Sequence, residues 1–201
     1  MSPSGYTEDR LVEQPAISLF HELGWQPVSA LEESFGSAEP SPLPSPGGRG
    51  SWLGRETKSE VVLFPRLRAA LERLNPTFPE EAICFAITEL TRDRSAMSLA
   101  AANREVWELV RDGVKVLVPD RERGGQKTER VRVIDWDNPQ ANDFLVVSQM
   151  TIMGELYTCR PDLIGFVNGL LTLLLGKVAP GIGRKAREKG LPRFTKRYRF
   201  T

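Results

Sequence analysis

Few residues in this chain have types and spacing suited to chemistry, and most can be set aside quickly. His21 is the only histidine, so histidine-based metal sites and Ser-His-Asp triads are out of reach. Cys84 and Cys159 are too few and too far apart for a zinc site or a disulfide scaffold, and read as free thiols. Asp135, Asp137 and Asn138, in DWDNPQAN, lack the alternating ligand spacing of a calcium loop. They predict a turn ending at Pro139, with Trp136 packed inward. Gly124-Gly125 is not followed by the Lys-Ser/Thr of a phosphate-binding loop. Carboxylates are plentiful, with 26 Asp and Glu, and type and spacing alone single none of them out. Glu13 lies on a predicted helix, where a solvent-facing role is the plain expectation. Asp162 follows Pro161 at the start of a predicted strand, where an isolated Asp commonly does no more than end a turn.

The elements that would position these groups follow from periodicity. Asp9–Gly24 predicts an amphipathic helix, with Leu11, Ile17, Leu19, Phe20 and Leu23 on one side, Pro15 early and Gly24 as the stop. Gly36–Ser51, GSAEPSPLPSPGGRGS, has almost nothing to bury and predicts a disordered insertion between two pieces of one unit. Helices are expected over Pro65–Asn75, Pro79–Thr91 and Ser98–Arg111, the last capped by Ser98. The period then changes. Val114–Val118, Arg130–Ile134 and Phe144–Ile152 predict strands, with RERGGQKTE as a polar hairpin loop. Leu163–Val167 and Leu170–Leu175 flank Asn168-Gly169, a type I′ hairpin signal. The fold class is therefore α+β or mixed α/β.

The 201 residues suit one domain with a tail, and 26% charged residues with a net charge of +1 give no bulk electrostatic case for nucleic acid. No apolar run is long enough to span a bilayer, and the polar first ten residues are not a secretory signal. A cytoplasmic protein without membrane association is expected.

The stretch VRVIDWDNPQANDFLVVSQMTIMGELYTCRPDLIGFVNGLL, Val131–Leu171, is more specific. With LRAALERLNP, AITELTRDRSAMS, ANREVWELVRDGV and the early VEQPAISLFHELGW, it resembles the N-terminal nuclease region of type I restriction-modification R subunits. The likeness runs from Thr7 to Leu175, apart from the Pro-rich insertion. It implies a restriction-endonuclease-like mixed sheet flanked by helices, of the PD-(D/E)-x-K type, cut off before the motor domains. In that pattern an Asp opens a strand hairpin, and a Glu-x-Lys on the return strand completes a Mg²⁺ site. Asp162 takes the first carboxylate position. The resemblance also makes Glu13 a candidate supporting ligand, since some nucleases of this type use a helix carboxylate.

The return strand departs from the pattern. Aligning Ala179-Pro180 puts Gly176 at the Glu position and Val178 at the Lys position, with Lys177 one residue out of register. Weak or absent Mg²⁺ binding and a catalytically defective fragment are expected. The alternative is a non-catalytic remnant, or a module that binds DNA or a partner. The complete family member would use ATP, act on DNA and assemble with methylation and specificity subunits, but no Walker A motif occurs here. The domain expectation is 1–35 and 52–178 as the nuclease-like unit, 36–51 as the insertion, and 179–201 as a basic disordered tail. In Gly181–Thr201 only Glu188 is acidic. A frame disruption between the codons for Leu171 and Val178 is the first expectation for that tail, with a solvated basic tail and a DNA- or RNA-contacting arm as the alternatives.

Overall fold

The computed structural model describes residues 13–31, 33, 35, 53–120, 124–154 and 158–175. The insertion, the basic tail, Gly176 and Val178 lie outside the described residues. The elements run α1 (Gln14–Glu22), β1 (Gln26–Ser29), α2 (Phe64–Leu74), α3 (Glu80–Thr91), α4 (Leu99–Asp112), β2 (Val114–Pro119), β3 (Gln126–Val131), β4 (Phe144–Ser148), β5 (Ile152–Met153), β6 (Thr158–Cys159), β7 (Leu163–Val167) and β8 (Leu170–Leu175). The central sheet has the order β1-β4-β7-β8, with β1 parallel to β4 and the other pairs antiparallel. The class is α/β with a mixed sheet, as expected. Among the described residues no helix is long and apolar enough to cross a membrane.

Both faces of this sheet are covered, which explains why every residue of β7, LIGFV, is buried. One face carries Leu67 and Leu71 of α2, Ile83, Ala86 and Leu90 of α3, and the valines of β2, in contact with Val167 and Leu170. The other packs Leu53, Val61 and Leu63 against Leu145, Val147, Ile164 and Phe166. Ser98 caps α4 as predicted, its Oγ accepting from the Ala101 N–H at 3.3 Å. The helix closes at Gly113, where φ is +82° and an added Cβ would sit 2.7 Å from the Val131 carbonyl oxygen. Only glycine suits both conditions.

The β7–β8 turn is the predicted type I′ hairpin, with φ of 51° at Asn168 and 79° at Gly169. Asn168 does more than turn the chain. Its buried side chain donates to the Val133 carbonyl at 2.8 Å and to Asn142 Oδ1 at 2.9 Å, and accepts from the Asp143 N–H at 2.7 Å. One side chain thereby holds the 133–143 segment against the hairpin.

Several expectations need correction. Residues 126–129, assigned to a loop, belong to β3, whose side chains are mostly exposed. A ribbon strand with polar residues on both faces carries no period-2 apolar signal, so periodicity could not find it. Strand β4 stops at Ser148 because Gln149 adopts φ +57°. Helix α1 buries none of its residues, and Leu19 and Leu23 are 55% and 65% exposed. Its apolar contact runs instead through Phe20, edge-to-face on Trp25 at 5.2 Å, with Trp25 against Phe144 at 5.1 Å. Gly165 makes room for that indole, since a Cβ there would lie 3.0 Å from Trp25. Trp136 is not packed inward: it is 52% exposed.

Candidate functional site

The sheet brings the two candidate carboxylates to one end. Antiparallel pairing of Ser148 with Leu163 makes Gln149 and Asp162 the next residues along β4 and β7. The Gln149 N–H donates to the Asp162 carbonyl at 3.1 Å. The left-handed φ of Gln149 turns the chain out of the ladder, and its side-chain Nε2 donates to Glu13 Oε2 at 2.7 Å. Gln149 therefore bridges the residue before α1 and the residue before β7. Sequence reasoning missed it. The only trace is the polar Ser-Gln pair interrupting the apolar run of FLVVSQM.

Glu13 is 8% exposed, which overturns the expectation of a solvent-facing side chain. Charge-assisted hydrogen bonding by an amide suits a carboxylate held out of water. Asp162 is half-buried. Beside Glu13 and Gln149 opens a cleft of ≈ 560 Å³, floored by Val146 and edged by Ser29 and the buried Ser148 at the ends of the parallel strands β1 and β4.

The remaining site residues of the resemblance lie outside the described residues, as does Lys177. Two carboxylates and an amide do not make up a magnesium site on their own. Among the described residues there is no group of three or more His, Cys, Asp and Glu able to hold a metal ion.

The other candidates have structural roles. Asp135 Oδ1 accepts the N–H groups of Asp137 and Asn138 at 3.2 and 3.1 Å, so the DWDN stretch is a turn built around one carboxylate. The Asn138 N–H, with Arg132 alongside, holds that carboxyl below its ordinary range against the opposing effect of desolvation. His21 is exposed. Cys84 and Cys159 form no disulfide among the described residues, and Cys84 Sγ accepts from Arg68 at 3.4 Å. A second feature missed from sequence is the pair Glu33–Arg55. Both side chains are almost fully buried, at 3% and 0% exposure, and they flank the 36–52 segment.

With this geometry established, comparison with known proteins is informative. Residues 5–175 match the family described as type I restriction enzyme R protein N terminus. The chain is 34% identical over 160 residues to the type I restriction enzyme HindI endonuclease subunit of Haemophilus influenzae. It is 26% identical over 186 residues to a provisionally named type I restriction enzyme MjaIXP endonuclease subunit of Methanocaldococcus jannaschii. The matches cover 79% and 90% of this chain but only 14% and 16% of those relatives.

Proposed function

We infer that this chain, which belongs to the family of type I restriction enzyme R protein N-terminal regions, is the nuclease region of an R subunit with an incomplete cleavage site, and that it does not cut DNA by itself. One observation carries the second half of this inference, the register of the β7–β8 hairpin. Leu163 pairs with Leu175, so Asp162 and Gly176 are the residues immediately beyond that pair. A two-strand carboxylate site would draw on those two positions, and Gly176 has no side chain to offer. Val178, two positions on, has no amine to orient or deprotonate a water.

DNA is the substrate class of this reading, and methylation and specificity subunits are the partners of the complete enzyme. ATP-driven motion would reside in other parts of the R subunit. Divalent metal would supply charge stabilisation at the scissile phosphate when bound. Here Asp162 is the one described residue at a family carboxylate position, with Glu13 as its only candidate support.

The test is incubation of the purified chain with supercoiled plasmid and Mg²⁺ or Mn²⁺. No nicking above background is expected. Nicking that disappears in Asp162→Ala would overturn the inference.

A further inference from the structure

At the other end of β7, away from Asp162, lies a second cleft of ≈ 650 Å³ between α4, the 134–142 turn and β8. Its floor is apolar, with Val110, Phe144 and Leu170 among the lining residues. Two tryptophans form its mouth. Trp107 and Trp136 meet edge-to-face at 6.1 Å, yet each is 52% exposed. Among the described residues, Asp135 is the only ionisable one lining the cleft. Its carboxylate is already engaged by Arg132 and two backbone N–H groups. Strand β8, beside the cleft, is the edge of the central sheet. Among the described residues its outer side makes a single bridge, Val62 to Leu170, and Leu175 is 39% exposed.

An apolar surface, poor in charge, with half-open tryptophans and a strand edge that makes a single bridge among the described residues, has the composition of a protein interface core. It does not suit DNA, which needs net positive charge. Nor does it suit residues 176–201, whose charges are all Lys and Arg except Glu188, because among the described residues the one acid lining the cleft, Asp135, is already engaged. The relatives supply an occupant: some six-sevenths of the HindI endonuclease subunit lies outside the region this chain matches.

We propose that the Trp107–Trp136 cleft is the docking surface for an apolar segment from the remainder of an R subunit, in the same polypeptide or in trans. The proposal rests on the R-subunit reading above.

The test uses the full chain and, as probe, the Haemophilus influenzae HindI endonuclease subunit prepared without the segment similar to this chain. Binding is measured by titration, and hydrogen exchange locates the contact. On complex formation, exchange should slow at 99–112, 134–142 and 170–175. Trp107→Ala with Trp136→Ala should weaken binding at least tenfold. Thr172→Arg, which places a charge in the cleft from an exposed position, should do the same if the tryptophan variant folds poorly. Slowing elsewhere would overturn the cleft assignment and leave the R-subunit reading standing. Absence of any complex, or unchanged affinity in both variants, would overturn it as well. Slowing in the free chain that rises with its concentration would assign the cleft to a second copy. Exposure of the cleft on deleting 176–201 would assign it to that segment. Either result would refute the proposal. Plasmid nicking would fault the inference of an incomplete site without touching the cleft.

Discussion

Replacing Arg55 should damage this fold more than any other single charge change. Its guanidinium is 0% exposed and forks onto Glu33, with Nε donating to Oε1 at 2.8 Å and Nη2 to Oε2. The same group donates to the carbonyls of Lys58, Glu60 and Thr151 at 3.3, 3.1 and 3.1 Å. It thus ties together the residue before the insertion, the segment after it, and the chain leaving β4. Arg55→Met keeps much of the volume but strands a carboxylate that is 3% exposed. Breaking a buried pair in this way costs about 3–5 kcal/mol. Against a total of about 5–15 kcal/mol for a domain, that is a large fraction. A fall in melting temperature of roughly 6–20 °C follows at about 2–4 °C per kcal/mol. Adding Glu33→Leu removes the stranded charge and should recover about 2 kcal/mol. Recovery is incomplete because three carbonyls still lack their donor. Denaturant unfolding of the wild type, the two single variants and the double variant measures all of these terms. A loss below about 1 kcal/mol for Arg55→Met, or a double variant no better than that single one, would refute the reasoning.

The other predictions concern the insertion, the site and the acid limb. Deleting 36–51 should shift the melting temperature little, because Glu33 and Arg55 still close the base and loop length costs only about 0.6 kcal/mol per doubling; a large fall would show that the segment packs on the domain. Gly176→Glu with Val178→Lys should raise Mg²⁺ affinity measured by calorimetry, and no rise would mean that the assigned register is wrong. Gln149→Gly should be more stable than Gln149→Ala by about 1 kcal/mol, since both lose the bond to Glu13 but only glycine accepts φ +57° without strain; the reverse order in chemical unfolding would contradict this. Desolvation pushes the Glu105 carboxyl up, but hydrogen bonds from Arg92 and Arg94 outweigh it and hold its pKa below the ordinary value. Its contribution is therefore fully present above the unfolded-state pKa and lost as pH falls through the folded-state pKa. Glu105→Gln should flatten that acid limb, and an unchanged pH profile of unfolding would rule the contribution out.

Helices α2, α3 and α4 were legible because each has a core-facing stripe, whereas the apolar stripe read in α1 stays largely exposed. The i, i+4 pair Leu67 and Leu71, and Ile83 with Ala86 and Leu90, repeat at helical spacing and bury as read. Asn168-Gly169 was legible because both positions need φ above zero, which few other pairs tolerate. Of strand β3 only the end at Arg130 and Val131 was legible, for the opposite reason: QKTE has no apolar face to betray it. Trp136 misled because an indole in a turn is expected to bury, whereas here it shares the mouth of an open cleft with Trp107. The Glu33–Arg55 pair joins charges 22 residues apart across a Pro-rich segment. No local pattern distinguishes such a pair from two solvated side chains.

The candidate site was half legible for a deeper reason, namely that sites at strand ends are assembled by register rather than by local motif. Three alignments matter. Ser148 opposite Leu163 sets Gln149 beside Asp162, Leu163 opposite Leu175 sets the end of the hairpin, and Gln149 then reaches back to Glu13 before α1. A sequence pattern can name Asp162, but it cannot reveal that a glutamine in a left-handed conformation links it to a buried glutamate. The same dependence on register underlies the proposal that Gly176 leaves the site incomplete, because Leu163 opposite Leu175 makes Asp162 and Gly176 the next residues along the chain on either side. On that proposal the paired change at 176 and 178 is needed to complete the site, and either change alone leaves it without its carboxylate or its amine.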